Sequence, residues 1–586
     1  MRTATTIFDN YVADFETTTK SNLLKDGCVR VWLWSLVNIG DESTYTGTNI
    51  ETFLQTIHKL KCKRVYFHNL KFDGKFIVDY LIRNGYTYGK DYTVLIDGLN
   101  SWYEIKLIKS KNTIRIWDSA KKYPGTSVKQ LGKLVGLPKL DKPEFDRYYP
   151  PDYQPTQQEI EYCIRDSLVV ARALRIDLDM GLKSMTMASD CFNWGKDYCL
   201  GGKAYRDWFP KLGTLTDEFT RNSYRGGVTY LKPEYINIEL ENIKVYDVNS
   251  LYPSVMAYCP LPYGYPKLCN ERPKEGLYVM SGEFTLELKD NHFPFLQVKH
   301  NPMFASNEFI TEIDEPTMLY LTNVDYELLV QNYDIYYEKD YDFLSFDSMV
   351  GLMRPHIDYW VSKKIEYENE GLDFMRYKAK TMMNGFYGKT GSRVKRLNKL
   401  PDLDDDGNVT YSRTEITESD PIYIPYATFV TAWARHKLVN SALNDWDDFI
   451  YCDTDSIHMF KDDDVKLDID KYELGKWKDE TASQPNGVFD YGRYIKQKTY
   501  CHAVKVKCGD YWYKDICDIK AAGLSADSRT GIPIEDFKFG LKIRDGNKKI
   551  RTVPGGALIE TYDWELYDYI GNEDAEYGMD KIMGLV

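Results

Sequence analysis

Seven carboxylates stand in two sets whose spacing suits metal-assisted phosphoryl chemistry. In the first, Tyr11-Val12-Ala13-Asp14-Phe15-Glu16 reads as a strand. Side chains alternate along a strand, so Asp14 and Glu16 share one face and Phe15 turns to the core. Two adjacent carboxylates repel, and a bound cation relieves the repulsion. His68-Asn69-Leu70-Lys71-Phe72-Asp73 adds Asp73 at a loop-to-helix junction, and Tyr162-Cys163-Ile164-Arg165-Asp166 sets Tyr162 and Asp166 one helical turn apart. A lone D-x-E pair is more simply a solvated strand edge. Four carboxylates with a tyrosine suit two Mg²⁺ about 4 Å apart, which would activate water and steady the leaving oxygen in phosphodiester hydrolysis.

In the second set, Val245-Tyr246-Asp247-Val248-Asn249-Ser250-Leu251-Tyr252 reads as a buried strand ending at Asp247, then a turn into a helix. Tyr451-Cys452-Asp453-Thr454-Asp455-Ser456 reads as strand, acidic tip, strand, with Asp453 and Asp455 on one face if the tip stays extended. Three carboxylates at strand ends are what two cations on a triphosphate require. At about 100° per residue, Arg376, Lys380, Asn384 and Tyr387 form one stripe of a helix, cationic and aromatic where a core stripe would be aliphatic. A solvated basic face is the competing reading.

The elements that must position these groups make a mixed α/β, multidomain chain: 586 residues exceed one ordinary domain. Strands are expected at Val29–Val37 and Thr113–Trp117, and helices at Phe76–Asn84, Glu159–Ala173 and Thr428–Leu443. The stretch Pro260–Pro355 alternates as a β-rich insertion. Residues 356–390 are strongly helical in pattern, Asp404-Asp405-Asp406-Gly407-Asn408 marks a hairpin tip, and strands dominate from Phe449 onward. With 43% hydrophobic and 28% charged residues, the chain is globular rather than disordered. No apolar run approaches the roughly 20 residues of a membrane span, which predicts a soluble protein not secreted by the classical route. Lys plus Arg is 75 and Asp plus Glu 88, a net of −13, whereas a simple electrostatic DNA binder is basic. Yet cations cluster at Lys389–Lys399, at Lys538–Arg551 and around Tyr500, so the charge pattern fits local polyanion tracks on an acidic body. Eleven cysteines without CxxC spacing argue against a zinc ribbon or thioredoxin-type site and fit reduced, buried thiols.

In order and spacing, these blocks resemble family B DNA polymerases with proofreading. The trio Asp14/Glu16, Asn69/Asp73 and Tyr162/Asp166 resembles the three exonuclease motifs, and the Asp247, Lys380 and Asp453/Asp455 blocks resemble motifs A, B and C. The resemblance implies an RNase H-like 3′–5′ exonuclease domain and a right-hand polymerase with palm, fingers and thumb. In it Asp14, Glu16, Asp73 and Asp166 bind metal, Tyr162 orients water, and Asn69, Phe72 and Ser119 contact the single strand. Ala120 follows Ser119 where the family has Leu. Lys142, in Lys142-Pro143-Glu144-Phe145, would support the scissile phosphate. Asp247 and Asp455 would carry both polymerase metals, with Asp453 close by and the Val248 carbonyl assisting. Lys380 would meet the triphosphate, helped by Lys364 or Lys363. Tyr252 would lie under the sugar and exclude a 2′-hydroxyl, and Asn384 and Tyr387 would sit at the nascent pair. Lys498-Thr499-Tyr500 matches the Lys-x-Tyr element that holds the primer terminus; as strand residues two apart, Lys498 and Tyr500 would face one groove.

Tyr224-Arg225-Gly226-Gly227, Leu261-Pro262-Tyr263-Gly264, Tyr426…Ala432-Trp433-Ala434-Arg435 and Val553-Pro554-Gly555-Gly556 narrow the resemblance to protein-primed phage polymerases of the phi-29 type, over roughly 1–560. It implies an exonuclease over 1–187, palm over 188–259 and 427–529, and fingers over 356–390. It also implies a terminal-protein-docking insertion over 260–355, a processivity and strand-displacement insertion over 391–426, and thumb with tail over 530–586. Tyr224, Arg225, Gly226 and Gly227 would touch DNA. Glu573, Asp574, Glu576 and Asp580 extend past the pattern as an acidic solvated tail. The partners implied are primer-template and single-stranded DNA, deoxynucleoside triphosphates and a terminal protein, with Mg²⁺ (two per site, Mn²⁺ an open substitute). The chain would act without a membrane in the host cytoplasm, as a monomer or a heterodimer with terminal protein. Alternatives are a DNA-primed family B polymerase without terminal protein and a catalytically inactive DNA-binding replication scaffold, which seven carboxylates in place disfavour. A reverse transcriptase fits the acidic hairpin alone.

Overall fold

The computed structural model describes residues 7–18, 24, 28–108, 113–145, 147–297, 309–405, 407–462, 464–508, 511–521, 523–524 and 527–566. The acidic tail expected from Glu573, Asp574, Glu576 and Asp580 lies outside the described residues, as does Asp406 of the hairpin tip. Two compact units form, each from separate stretches of chain. The first comprises Met1–Cys199, Asp358–Asp420 and Lys548–Glu560, the second Leu200–Ile357, Pro421–Asn547 and Thr561–Val586.

The chain begins with β1 (Asn10–Thr17), β2 (Val31–Asn38), β3 (Thr44–Gly47), α1 (Ile50–Lys59), β4 (Arg64–Phe67), α2 (Leu70–Arg83), β5 (Tyr92–Ile96), β6 (Trp102–Ile108), β7 (Thr113–Asp118), α3 (Val128–Leu134), α4 (Gln157–Asp179) and α5 (Met187–Gly195). The sheet order is β3-β2-β1-β4-β7-β6-β5, with β1 antiparallel to β2 and parallel to β4, itself parallel to β7. This is the mixed, helix-covered sheet that the RNase H-like expectation calls for. The two faces of β1 feed two cores. Tyr11, Ala13 and Phe15 join Phe53, Phe67 and Phe76, whereas Val12 joins Val169, Val170 and Leu174 of α4. A capping box of Thr156 and Glu159 starts α4, and such caps typically contribute about 1 kcal/mol. The strand expected from Val29 starts at Val31, and the helix expected from Phe76 starts earlier, at Leu70.

The next stretch holds α6 (Gly202–Trp208), α7 (Thr214–Ser223), β8 (Thr229–Leu231), β9 (Glu239–Val248) and α8 (Leu251–Tyr258), followed by β10 (Pro260–Cys269), β11 (Leu277–Leu288), β12 (Glu312–Thr322), α9 (Asn323–Asn332) and β13 (Tyr333–Val350). Strands β10 to β13 make their own sheet, in the order β10-β13-β11-β12, matching the expected β-rich insertion.

The helical stretch after residue 353 is broken into α10 (Arg354–Asn369), α11 (Asp373–Asn384) and α12 (Phe386–Thr390). Gly371, at φ +68°, ends one turn, and Gly385 separates the last two helices. A glycine readily adopts positive φ, which the uniform periodicity of the segment concealed. β14 (Lys395–Leu403) and β15 (Val409–Glu418) form the expected hairpin, followed by α13 (Ile424–Asn444). The hairpin lies in the first unit. Asn398 accepts from the Ile96 N–H and donates to the Val94 carbonyl of edge strand β5, and Val409 and Tyr411 enter the core beneath β1.

The remaining strands are β16 (Phe449–Asp453), β17 (Ser456–Phe460), β18 (Trp477–Asp479), β19 (Phe489–Lys496), β20 (Thr499–Cys508), β21 (Tyr511–Ala521), β22 (Lys542–Val553) and β23 (Gly556–Glu565). The central sheet of the second unit runs β21-β20-β19-β9-β17-β16-β8, so β9 pairs with β17 of the distant acidic hairpin and brings Asp247 to it. Among the described residues no helix is long and apolar enough to cross a membrane.

Candidate active sites

The first site is built on β1. Asp14 and Glu16 project to the face that α4 covers, where the Cys163 thiol reaches the Asp14 carbonyl at 3.8 Å. Ligand atoms of Asp14, Glu16 and Cys163 all lie within 4.8 Å of one another. Asp73, in the first turn of α2, and Asp166, one turn beyond Tyr162, are buried beside them. A cleft of about 350 Å³ opens here, lined by Asp14, Glu16, Phe72, Lys142, Tyr162 and Asp166.

Crowding disturbs every carboxyl. Burial, then the Asp166 charge, pushes Asp14 up to about 7. Burial raises Glu16 and Asp73 well above the carboxylate range, with the Asp14 charge adding to both. Burial also raises Asp166, against the pull of Lys139. Four such groups cannot all ionise at neutrality without a cation. Asp166 Oδ1 is buried with no hydrogen-bond partner. An orphaned hard oxygen among carboxylates fits divalent cations held by Asp14, Glu16, Asp73 and Asp166.

Lys139 was not singled out in the sequence. Its ammonium bonds Asp166 and lies 5.0 Å from the Tyr162 ring centroid. Its only signal was a second lysine three residues before Lys142. Lys142 itself is exposed, over the Phe145 ring at 5.4 Å. Lys139→Ala leaves Asp166 uncompensated, and degradation of single-stranded DNA should slow about 10- to 100-fold with primer extension unchanged; timed digestion of a labelled strand checks this.

Asn69, at φ +77°, opens α2 and donates its N–H to Asp118 at 2.9 Å. Ser119 is a correction. It is fully buried, donating to the Phe67 carbonyl at 3.0 Å and paired with His68 at 3.0 Å, so it supports the His68–Asn69 turn rather than meeting a strand.

The second site is in the central sheet. Asp247 lies opposite Ser456 in the β9–β17 ladder, and the Val248 N–H donates to the Asp455 carbonyl at 2.7 Å. Asp247 and Asp455 therefore stand at adjoining strand ends, a hard-oxygen donor set that fits divalent cations. Ser250, at φ +55°, turns the chain into α8, whose first turn carries Tyr252.

The tip does not stay extended, which corrects the expected shared face. Thr454 adopts φ +60°, and both Asp453 oxygens accept from Lys498 Nζ at 2.8 and 2.9 Å. Thr229 also donates to Asp453, at 3.0 Å. Asp453 is thus held by Lys498 and Thr229. Lys498 is a second correction. It sits in the β19–β20 turn at φ +59°, its N–H donating to Tyr451 Oη at 3.1 Å, and strand alternation with Tyr500 fails. Tyr500 packs among the Tyr451, Tyr494, His458 and His502 rings.

The Tyr224–Gly227 loop supports this tip. The Thr454 N–H donates to the Val228 carbonyl at 2.7 Å. Tyr224 is half-buried and Gly226 exposed. Arg225 is a third correction: 8% exposed, it donates to the Tyr320 carbonyl at 2.8 Å and faces the protein interior, not a DNA backbone. Arg435 of α13 holds the Arg225 and Gly226 carbonyls at 2.7 and 2.8 Å while pairing with buried Asp325. A Cβ on Gly227 would stand 2.9 Å from Thr454 Cγ2 and 3.0 Å from the Tyr252 hydroxyl. Such overpacking typically costs about 1–3 kcal/mol. Gly227→Ala should therefore slow primer extension about tenfold and leave degradation intact, as parallel assays on one preparation would read.

In the first unit, Arg376 and Lys380 are exposed on α11, and Asn384 donates to the Lys380 carbonyl at 2.8 Å. Tyr387 leaves their stripe, because Gly385 places it on α12. Of the two upstream cations, Lys363 is paired with Glu366 at 2.7 Å, and Lys364 is half-buried on α10.

Residues 140–474 match the family described as DNA polymerase type B, organellar and viral, and the chain belongs to that family. It is a DNA polymerase, and enzymes of this kind use divalent metals. It is 34% identical to the DNA polymerase of Bacillus phage Nf over 581 residues, covering 94% of this chain and 98% of that one. It is equally 34% identical to the polymerase of Bacillus phage phi29, over 583 residues, covering 94% and 97%. The structure superposes on phi29 DNA polymerase complexed with primer-template DNA at TM-score 0.85, with 32% identity and coverage of 95% of this chain and 99% of that one. The complex of that polymerase with primer-template and incoming nucleotide gives 0.84.

Proposed function

We propose that the chain is a protein-primed, DNA-directed DNA polymerase with 3′–5′ proofreading, replicating a linear phage genome in the host cytoplasm processively and with strand displacement. The observation that carries this is the presence of two acidic centres, one in each compact unit, in a chain that aligns nearly end to end with phage phi29 polymerase. Solved complexes of that relative hold primer-template DNA, single-stranded DNA and incoming nucleotide. The partners proposed here are the same three, with a terminal protein docked on the β10–β13 sheet.

For synthesis, Asp247 and Asp455, with the Val248 carbonyl, would hold two Mg²⁺, replaceable by Mn²⁺, and Asp453 with Lys498 braces the tip beside them. Bound there, the ions supply charge neutralisation on the triphosphate as the primer hydroxyl attacks the α-phosphate. Lys380 and Lys364 bind the triphosphate, Tyr252 excludes a 2′-hydroxyl, and Asn384 and Tyr387 border the nascent pair. Tyr500 holds the primer end. For proofreading, Asn69 and Phe72 hold the frayed 3′ end, Tyr162 orients the attacking water, and Lys139 and Lys142 steady the scissile phosphate.

The test uses a 5′-labelled primer on a single-stranded circle with Mg²⁺, with and without deoxynucleotides. Products many times the circle's length, and a shortened primer without nucleotides, are expected. Extension that stops at one circle removes unaided strand displacement. Initiation that needs a DNA primer even with terminal protein present removes protein priming.

A further inference from the structure

Four charged side chains are buried together in the first unit, outside both centres described above. Asp177 of α4 and Lys378 of α11 are fully buried and 2.9 Å apart. Lys122, in the turn after β7, lies 3.6 Å from Asp177 and 2.6 Å from Asp190 of α5. Its ammonium also donates to the Leu182 carbonyl at 2.8 Å. The Tyr123 hydroxyl donates to Asp177 at 3.1 Å, and the Ser184 N–H donates to Asp190 at 2.7 Å.

Two cations and two anions cancel, the condition under which buried charges are tolerated. Apolar residues of equal volume often stabilise a fold as well as a buried ion pair does, so the use to look for in such a cluster is geometric. The apolar contacts of this helix, such as Phe374 against Tyr123 at 6.0 Å between centroids, permit sliding or rolling. A lysine directed at one carboxylate does not. The ion pair fixes the rotation and axial position of α11 against α4. Lys380 stands two residues beyond Lys378, about 200° around the helix, on the exposed face with Arg376. A roll of α11 that breaks Lys378–Asp177 therefore carries Lys380 with it.

We propose that Lys378 and Asp177 are positioning residues for nucleotide binding: the helix beneath the exonuclease sheet sets where α11 presents Lys380. This rests on the reading of Lys380 as a triphosphate contact. The test compares Lys378→Met, the charge-balanced double variant Lys378→Met with Asp177→Asn, and Lys380→Ala in the full chain. Primer extension is followed against deoxynucleotide concentration, beside single-strand degradation and thermal melting. Lys378→Met should raise the deoxynucleotide KM about tenfold with a much smaller change in kcat and unchanged degradation. The double variant should recover the melting midpoint while its KM stays raised, because neutrality returns and the tie does not. A KM restored in the double variant, or unmoved in Lys378→Met while Lys380→Ala raises it, overturns the inference. A KM unmoved by Lys380→Ala instead sinks the Lys380 reading itself.

Discussion

Asp455→Ala is expected to lower nucleotide addition by at least ~10³-fold, about 4 kcal/mol of transition-state stabilisation, while 3′ degradation continues at its normal rate. The separation follows from the architecture. Asp455 sits at the turn between β16 and β17 in the second unit, its carbonyl holding the Val248 N–H. Asp14, Glu16, Asp73 and Asp166 belong to the first unit. The alanine removes a carboxylate but not that backbone bond, so strand pairing with β9 persists. Single-nucleotide extension measures one arm and digestion of a labelled single strand the other. Normal extension by the variant would remove Asp455 from the polymerase centre.

The reverse separation is expected of Asp14→Ala combined with Glu16→Ala. Degradation should fall by ~10³-fold or more with extension rates preserved, and mismatched primer ends should then be extended instead of trimmed. The same change relieves repulsion. Burial and the Asp166 charge push Asp14 up to about 7, and burial and the Asp14 charge raise Glu16 well above its usual range, so their removal should leave the folded state no less stable in the absence of a divalent ion. A melting curve in EDTA checks this. Loss of both activities together, or a lowered midpoint, would point to misfolding instead.

Much of this was legible in the sequence because it is local. Alternation along Tyr11–Glu16 put Asp14 and Glu16 on one face, and helical spacing put Tyr162 and Asp166 on one side of α4. Those periodicities survive in any fold that keeps the elements. What the sequence hid depends on single torsions and distant partners. Thr454 and Lys498 both adopt positive φ, and at these two turns the Lys498 ammonium meets the Asp453 carboxylate. Arg225 reads as a DNA contact by resemblance, but its guanidinium is taken by a carbonyl 95 residues away. Ser119 is consumed in the same way by Phe67. Lys139 escaped notice because no periodicity ties residue 139 to Asp166; only the chain's return path does.

The β14–β15 hairpin lies within residues 391–426, and the proposal that this stretch serves strand displacement has to be tested with the packing of the hairpin in view. Strand β5 ends the N-terminal sheet, and an open sheet edge is a template for pairing with another chain. Asn398 occupies the Ile96 N–H and the Val94 carbonyl of that edge, and Val409 and Tyr411 close the core behind it. The hairpin therefore also acts as a guard against self-association. Cutting it out would bare an adhesive border along with an apolar seam, and the shortened protein should cluster at concentrations where the full chain stays dispersed. A deletion that loses strand displacement would then confound lost unwinding with lost colloidal stability. Substitutions confined to the exposed residues of the hairpin, such as Lys395 and Arg396, keep the two effects apart.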